Sequence, residues 1–465
     1  MLSVSQLTRF AGVPMKNPKS NSPVVRQHSY RALLVAALAI IGSASPPSAL
    51  YVAESRQTLH WLGTWATAPQ ASLPGRPQTF RNQTLRLIVH TSAGGTKVRI
   101  KLSNTFGDQP LVLGAAHIAR RASEGDIDPA SDRALTFGGH PSTTVVARSM
   151  VVSDPIDLHV PALSDLAISL FLPEPTAATT MHILALQTNY VSAESGDSTA
   201  AVKFPVAKTI DYWPFLAGVD VTASPRGAAI VAFGSSTTDG DGSTDDANKR
   251  WPDVLAERLH KSSDPKLEIG VLNEGIIGNR LLTDSHSPHQ TGGPFEAALA
   301  KYGDALGQAG LARFERDVLA QSGVKYVIFA LGINDILFPG SFTPLSESPT
   351  AERLISGNRE LIARARKKGI RVIMTTVPPF ENATFQHPII SFYTPEKEKI
   401  RQEVNAWIRT SGEFDGVVDF DAAVRDPNHP TRLLPAYDSG DHLHVNDAGN
   451  IAQGGAIPLS LFQSH

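Results

Sequence analysis

The hydrophobic positions fall into two textures. From about Trp61 to Val191, apolar residues come in short runs cut by turn residues. Lys97-Val98-Arg99-Ile100-Lys101-Leu102 alternates strictly, the period of a strand with one buried face. Leu85 to His90, Leu111 to Ile118, Thr143 to Ala147, Leu166 to Leu172 and His182 to Tyr190 are further strand candidates. Ala93-Gly94-Gly95, Gly107-Asp108, Gly138-Gly139 and Pro173-Glu174-Pro175 supply turns between them. Many short strands of this kind predict an all-β sandwich or jelly-roll. Asp211 to Phe215 and Ala223 to Gly227 read as an irregular linker.

From Ala228 the pattern changes. Ala228-Ala229-Ile230-Val231-Ala232-Phe233 carries no charge and no helical gap, as expected of a strand buried on both faces. Further strands are predicted at Leu267 to Leu272, Lys325 to Ala330, Arg371 to Thr376 and Gly416 to Phe420. Helices are predicted at Trp251 to His260, Ala312 to Ala320, Thr350 to Lys368 and Pro395 to Arg409. Pro252 sits near the start of the first, and Gly369 follows the third. Strands alternating with helices predict a doubly wound parallel sheet of five strands, flavodoxin-like, with right-handed crossovers. The expected organisation is therefore a leader at 1–49, a β-sandwich accessory domain at 58–210, a linker at 211–227 and an α/β domain at 228–465.

Composition narrows this picture. The 465 residues are 42% hydrophobic and 18% charged, with 42 Lys plus Arg against 44 Asp plus Glu and a net charge of -2. No basic block stands out, which argues against nucleic-acid binding. The absence of cysteine excludes disulfides, a Cys nucleophile and Cys-ligated metal. At the amino terminus Arg9, Lys16, Lys19, Arg26 and Arg31 precede the apolar run Ala32 to Ile41 and the small-residue tail Gly42 to Ala49. This is the layout of a secretory signal, and the run is short for a spanning helix. A retained amino-terminal anchor is the alternative. Secretion or periplasmic export is the expectation, with no integral membrane segment after signal removal. Loss of the five basic residues in 1–49 would take the charge from -2 to -7.

The candidate chemistry begins where the first buried strand ends, in Gly234-Ser235-Ser236-Thr237-Thr238-Asp239-Gly240. Open α/β sheets place their chemistry at the carboxyl ends of strands, which makes Ser236 a candidate nucleophile. A serine nucleophile needs a base, an orienter for that base and donors for an oxyanion. Asp441 and His444 are three residues apart, a spacing that lets the carboxylate reach Nδ1 and leaves Nε2 for Ser236. The same cluster, Asp441-His442-x-His444, also resembles a metal-ligand set, although no third His motif lies nearby. Asn273 to Asn279 contains glycines that let a backbone N–H approach a substrate oxygen. Leu331-Gly332-Ile333-Asn334-Asp335 offers the Asn334 amide as a neutral donor, with Asp335 a candidate helix cap.

Taken together, Gly234-x-Ser236, Gly278, Gly332-x-Asn334 and Asp441-x-x-His444 resemble the four blocks of the SGNH (GDSL) hydrolase superfamily. The resemblance covers Ala228 to the carboxyl terminus. Asp239-Gly240, Arg250-Trp251-Pro252-Asp253 and the preceding β domain are most similar to the arylesterase/acylhydrolase branch associated with polysaccharide degradation. It implies an SGNH-fold serine esterase with Ser236 as nucleophile, His444 as base and Asp441 as orienter. The oxyanion hole would be the Ser236 and Gly278 N–H groups with the Asn334 side chain, with no metal and no cofactor. The expected substrates are short acyl esters, acetyl among them, of carbohydrates or aryl alcohols, whether small molecules or polysaccharides.

Two rivals remain open. A lipase or lysophospholipase would need an apolar groove, for which Ile336-Leu337-Phe338-Pro339 and Phe385 to Phe392 are candidates. A non-catalytic carbohydrate-binding protein is suggested by Ser235, which stands where the family has Asp and is also the rival nucleophile. In the β domain, Trp61, Trp65 and Asn104-Thr105-Phe106 are either core or ligand contacts.

Overall fold

The structure is a computed structural model and describes residues 59–75, 77–262, 268–285, 299–386 and 389–462. The expected export signal lies outside the described residues. Residues 59 to 462 form one compact unit that contains both textures.

The β half is built on two large antiparallel sheets, with smaller two- and three-stranded sheets beside them. In chain order its principal strands are β1 (Trp61–Ala66), β2 (Gln83–His90), β3 (Gly95–Ser103), β4 (Ala115–Ser123), β5 (Asp165–Leu172), β6 (Asn189–Ser192) and β7 (Leu216–Thr222). One sheet runs β1-β7-β3, with Met150–Val152 and Ile156–Val160 on the far side of β3. The other runs β6-β2-β5-β4 at its centre. Strict alternation in β3 becomes a burial pattern in which Val98, Ile100 and Leu102 are fully buried. Leu85, Leu87, Ile88 and Val89 of β2 are also fully buried, Ile88 in a cluster with Ala119, Ala167, Tyr190 and Phe204.

The α/β half has five parallel strands: β8 (Ala228–Gly234), β9 (Ile269–Asn273), β10 (Val324–Ala330), β11 (Arg371–Thr375) and β12 (Gly416–Val418). Their order, β9-β8-β10-β11-β12, is the flavodoxin-like order with its switch point beside β8. Every residue of β8 is buried, as its unbroken apolar run requires. Between strands lie α1 (Ser236–Asp239), α2 (Trp251–Lys261), α3 (Gly310–Phe314), α4 (Ile333–Leu337), α5 (Ala351–Lys367), α6 (Pro395–Thr410) and, past the last strand, α7 (Asp447–Ala456). Thr350 caps α5 through the Arg353 N–H and Thr394 caps α6 through the Lys397 N–H.

Four expectations are corrected. The stretch 211–227 is not an irregular linker: it contains β7, which pairs with both β1 and β3. Gly and Pro around it mask a strand whose Leu216 to Val221 are all buried. The run Leu111 to Ile118 breaks at Gly114 into Leu111–Leu113 and β4. The run His182 to Tyr190 is not one strand. Its ends pair as Thr180–His182 and β6, while Leu186 takes φ +47 and the segment between turns toward the α/β half. The expected helix Ala312 to Ala320 is α3 running into a π-helical turn over Glu315–Leu319.

The two halves meet along β1 and β9. The Gly63 N–H donates to Ser322 O at 2.9 Å, and the Val271 N–H to Ser92 Oγ at 2.8 Å. No described helix is long and apolar enough to cross a membrane.

Candidate active site

The site is built from three strand ends and the loop before α7. β8 delivers Ser235 and Ser236 directly into α1, with Ser235 as the extended residue before the helix. The two serines then part. Ser236 Oγ lies 2.8 Å from His444 Nε2, whereas Ser235 Oγ is buried without a hydrogen-bond partner among the described residues. The structure therefore assigns the adjacent hydroxyls different surroundings, and only Ser236 faces the imidazole.

His444 is 1% exposed and carries Asp441 on its other nitrogen, with Nδ1 to Oδ2 at 2.5 Å. With Nδ1–H donated to that carboxylate, Nε2 is left to accept from the Ser236 hydroxyl. The three-residue spacing works through a tight turn. Asp441 Oδ1 accepts the Leu443 N–H at 2.9 Å and the His444 N–H at 2.8 Å. Burial alone would raise Asp441. The His444 charge, its hydrogen bond and the two backbone N–H groups outweigh burial and hold the carboxyl far below its usual range. Burial lowers the His444 pKa, and the Asp441 charge opposes this only in part. A second carboxylate, Asp241 Oδ2, stands 3.7 Å from Nε2. His442 faces away: it is exposed and bonds Asp438 through Nδ1 at 2.5 Å. The alternative metal reading gains nothing from this geometry, and no group of three or more potential ligands is found among the described residues.

Gly278 follows β9, in a loop that is tied to the serine turn. The Ile276 N–H donates to Gly234 O at 3.2 Å and the Ile277 N–H to Asp239 Oδ2 at 2.8 Å. Gly275 makes the approach possible: a Cβ there would lie 2.3 Å from the Asp239 backbone nitrogen. Gly278 itself has φ +71, a conformation that favours glycine. Asn334, in the first turn of α4, is 2% exposed and donates through Nδ2 to Asn279 O at 3.0 Å. That bond fixes the amide beside the Gly278 loop. Asp335 is not a helix cap. Its carboxylate accepts the Leu281 and Leu282 N–H groups at 2.7 and 2.9 Å, and burial raises its pKa. The predicted residues Ser236, Asp441 and His444 are thus joined directly. Gly278 and Asn334 are drawn to the same strand ends through Asn279.

The carboxyl-terminal sequence also matches a known family. Residues 230–457 match the family model for GDSL-like lipase/acylhydrolase. These residues are a GDSL-like lipase/acylhydrolase domain. The acylhydrolase domain places the protein among carboxylic ester hydrolases. Solved structures similar to it include the aryl esterase of M. smegmatis, at 17% identity over 49% of this chain and 95% of that one, with TM-score 0.35. Est24, a carbohydrate acetylesterase from Sinorhizobium meliloti, is 16% identical over 49% of this chain and 95% of that one, TM-score 0.35. A GDSL-like lipase from Bacteroides thetaiotaomicron is 16% identical over 50% and 87%, TM-score 0.32. No curated protein matches the chain.

Sequence reasoning missed the scaffold behind the candidate site. Arg313 is 1% exposed and binds Gly234 O at 2.9 Å, Glu274 O at 2.9 Å and Asn279 Oδ1 at 3.0 Å. It therefore fastens the strand end before the serines to the Gly278 loop, with Asp317 as counter-ion at 3.0 Å. Glu274 is fully buried beside this pair. Burial and the Asp317 charge push its carboxyl well above the usual range. One signal was legible: an Arg–Asp pair four apart on a helix. Its tertiary partners were not.

The β-domain aromatics resolve as structure. Trp65 is packed edge-on against Trp213 at 5.0 Å, and Trp61 lies under the Arg99 guanidinium at 4.3 Å. Asn104 spends its amide on Gln109 O of its own loop and on Val145 O and Val146 O of the segment packed against it.

Proposed function

We propose that this protein is a serine esterase that forms an acyl-enzyme on Ser236. His444 Nε2 takes the Ser236 proton as Oγ attacks the ester carbonyl, and Asp441 stabilises the imidazolium. The carbonyl oxygen becomes an oxyanion received by the Ser236 and Gly278 N–H groups and the second N–H of the Asn334 amide. His444 then gives its proton to the departing alcohol oxygen as the C–O bond breaks. Water, deprotonated by His444, attacks the acyl-enzyme and releases the acid. The observation that carries this reading is the continuous pair of contacts from Ser236 Oγ through His444 to Asp441.

Ser235 in place of the family's Asp does not favour a decayed domain, because its hydroxyl takes no part in these contacts. For the substrate, the proposal is a short acyl group on a carbohydrate or aryl alcohol. Of the stretches that would line a long acyl groove, the first is spent in packing: Ile336, Leu337 and Phe338 are at most 1% exposed. Phe342 meets Phe338, Phe385 and Phe392 at ring separations of 5.2, 5.4 and 5.5 Å. The amino-terminal pattern supports export as part of the proposal. A nitrophenyl ester series from acetyl to palmitoyl, with acetylated glycans and a Ser236→Ala control, tests it. Turnover peaking at acetyl or butyryl is expected, and a peak at long chains overturns the short-acyl assignment.

A further inference from the structure

We propose that the β domain is part of the catalytic apparatus, with His182 acting as a positioning residue for the oxyanion loop through Asp239. The inference rests on the esterase reading above.

His182 ends the strand Thr180–His182 and is 2% exposed. Its Nδ1 lies 3.0 Å from Ala68 O and its Nε2 lies 2.9 Å from Asp239 Oδ1. Trp213 flanks the ring at 5.9 Å. Asp239 is the last residue of α1, three positions after Ser236. Its other carboxylate oxygen takes the Ile277 N–H at 2.8 Å, and Ile277 immediately precedes Gly278. One carboxylate therefore joins three elements: the nucleophile turn, the loop that carries Gly278, and a β-domain imidazole.

The carbonyl of Ala68 can only accept, so Nδ1 carries a proton toward it. With either atom as donor the contact of Nε2 with Asp239 is a buried hydrogen bond, which makes its loss costly.

A second tie runs in parallel. Arg250 donates Nε to Asp239 O at 2.9 Å and reaches back to Ala185 O of the β domain through Nη2. Further along, Asp246 accepts the Thr188 N–H and Thr188 hydroxyl, both at 2.6 Å, and its own N–H donates to Leu186 O at 3.0 Å. The same loop continues to Thr244, which bonds Asp447 at the start of α7, just past His444. The segment 183–188, which leaves the ladder that its sequence predicts, thus grips the loop lying between Ser236 and His444. Its broken strand has a physical reason: Ala185 O, Leu186 O and the polar groups of Thr188 are spent across the seam.

Oxyanion donors act only when held within a few tenths of an ångström of the developing charge. Freeing Asp239 from His182 releases the Ile277 N–H from its anchor and lets Gly278 drift.

The test uses the full chain and a nitrophenyl ester. His182→Ala and Asp239→Ala are each expected to lower kcat by about 10- to 100-fold with KM changed less than about threefold, as misplacement of a preorganised group does. The double variant is expected to be no worse than Asp239→Ala alone, because both remove one chain of contacts. Asp239→Asn is expected to recover most of kcat, since its amide donates to His182 Nε2 and its oxygen still accepts from Ile277. Hydrogen exchange over residues 274–281 is expected to accelerate in His182→Ala and to stay protected in Asp239→Asn. Should His182→Ala fail to fold, His182→Gln is read in its place. Unchanged kcat, a loss confined to KM, multiplicative losses in the double variant, or unchanged exchange at 274–281 overturns the inference. An unmodified protein that turns over no ester overturns the esterase reading instead, and the exchange measurement then decides the His182–Asp239 tie by itself.

Discussion

Ser236 Oγ and His444 Nε2 are 2.8 Å apart across 208 positions of sequence. Among the described residues the neighbouring hydroxyl of Ser235 has no hydrogen-bond partner. Ser236→Ala is therefore expected to lower kcat by about 10⁴-fold or more, the scale seen when a serine nucleophile is removed. Ser235→Ala is expected to leave turnover within about threefold and to raise stability slightly, since it deletes a buried unsatisfied hydroxyl. Steady-state kinetics on both variants checks this. Loss of activity in Ser235→Ala with retention in Ser236→Ala would reverse the assignment.

Asn334 holds its amide in place through Asn279 O. Asn334→Ala is expected to lower kcat by about 10²- to 10³-fold with little change in KM, as for loss of one oxyanion donor. Retained kcat with a raised KM would instead make Asn334 a ground-state contact.

The pH profile follows from burial of His444. The base works only when neutral, and burial lowers its pKa below the usual 6.5 or so. Activity is thus expected to be flat from neutral pH upward and to fall on the acid side with a midpoint below about 6.5. Asp441 stays ionised throughout this range. Asp441→Asn removes the charge that favours the imidazolium, so the acid limb moves to still lower pH while kcat falls by about 10⁴-fold. A midpoint above 7 in the unmodified protein contradicts this account.

Arg313 carries three loop contacts and an ion pair while fully enclosed. Arg313→Met leaves Gly234 O, Glu274 O and Asn279 Oδ1 without this donor. The expected cost is about 3–5 kcal/mol of unfolding free energy, the range for breaking a buried ion pair. Urea unfolding measures it, and a cost under 1 kcal/mol would show that Arg313 is not a fastening point.

Glu274 gives a pH-dependent stability effect of opposite sign to an ordinary carboxylate. Its folded pKa is raised, so between the unfolded and folded values the folded state holds a proton that the unfolded state has lost. The stability contribution is full at acid pH and is lost as pH rises through the folded pKa. Glu274→Gln, which cannot ionise, is expected to gain on the unmodified protein between pH 4 and pH 8. Urea midpoints at both pH values decide it, and an advantage for the variant that shrinks with pH would be the wrong sign.

The sequence alone determined the parts governed by local rules. Unbroken apolar runs marked the parallel strands, because a strand covered on both faces excludes polar side chains wherever it sits. Asp441 and His444 were legible as a pair because three residues of turn suffice to bring them together. The family blocks located Ser236, Gly278 and Asn334 at or near strand ends. Only the tertiary structure decided which of two adjacent serines meets the imidazole, since that depends on the direction in which β8 enters α1. It also decided that 211–227 contributes a central β-domain strand and that residues 183–188 leave theirs. Periodicity reports that a face is buried and does not say against what. The ties of Arg313 to Gly234, Glu274 and Asn279 and of His182 to Asp239 escaped for that reason: these partners lie tens of residues away, 57 in the case of His182 and Asp239. Buried polar contacts of that range leave no local pattern, and it is packing of the two halves that brings them together.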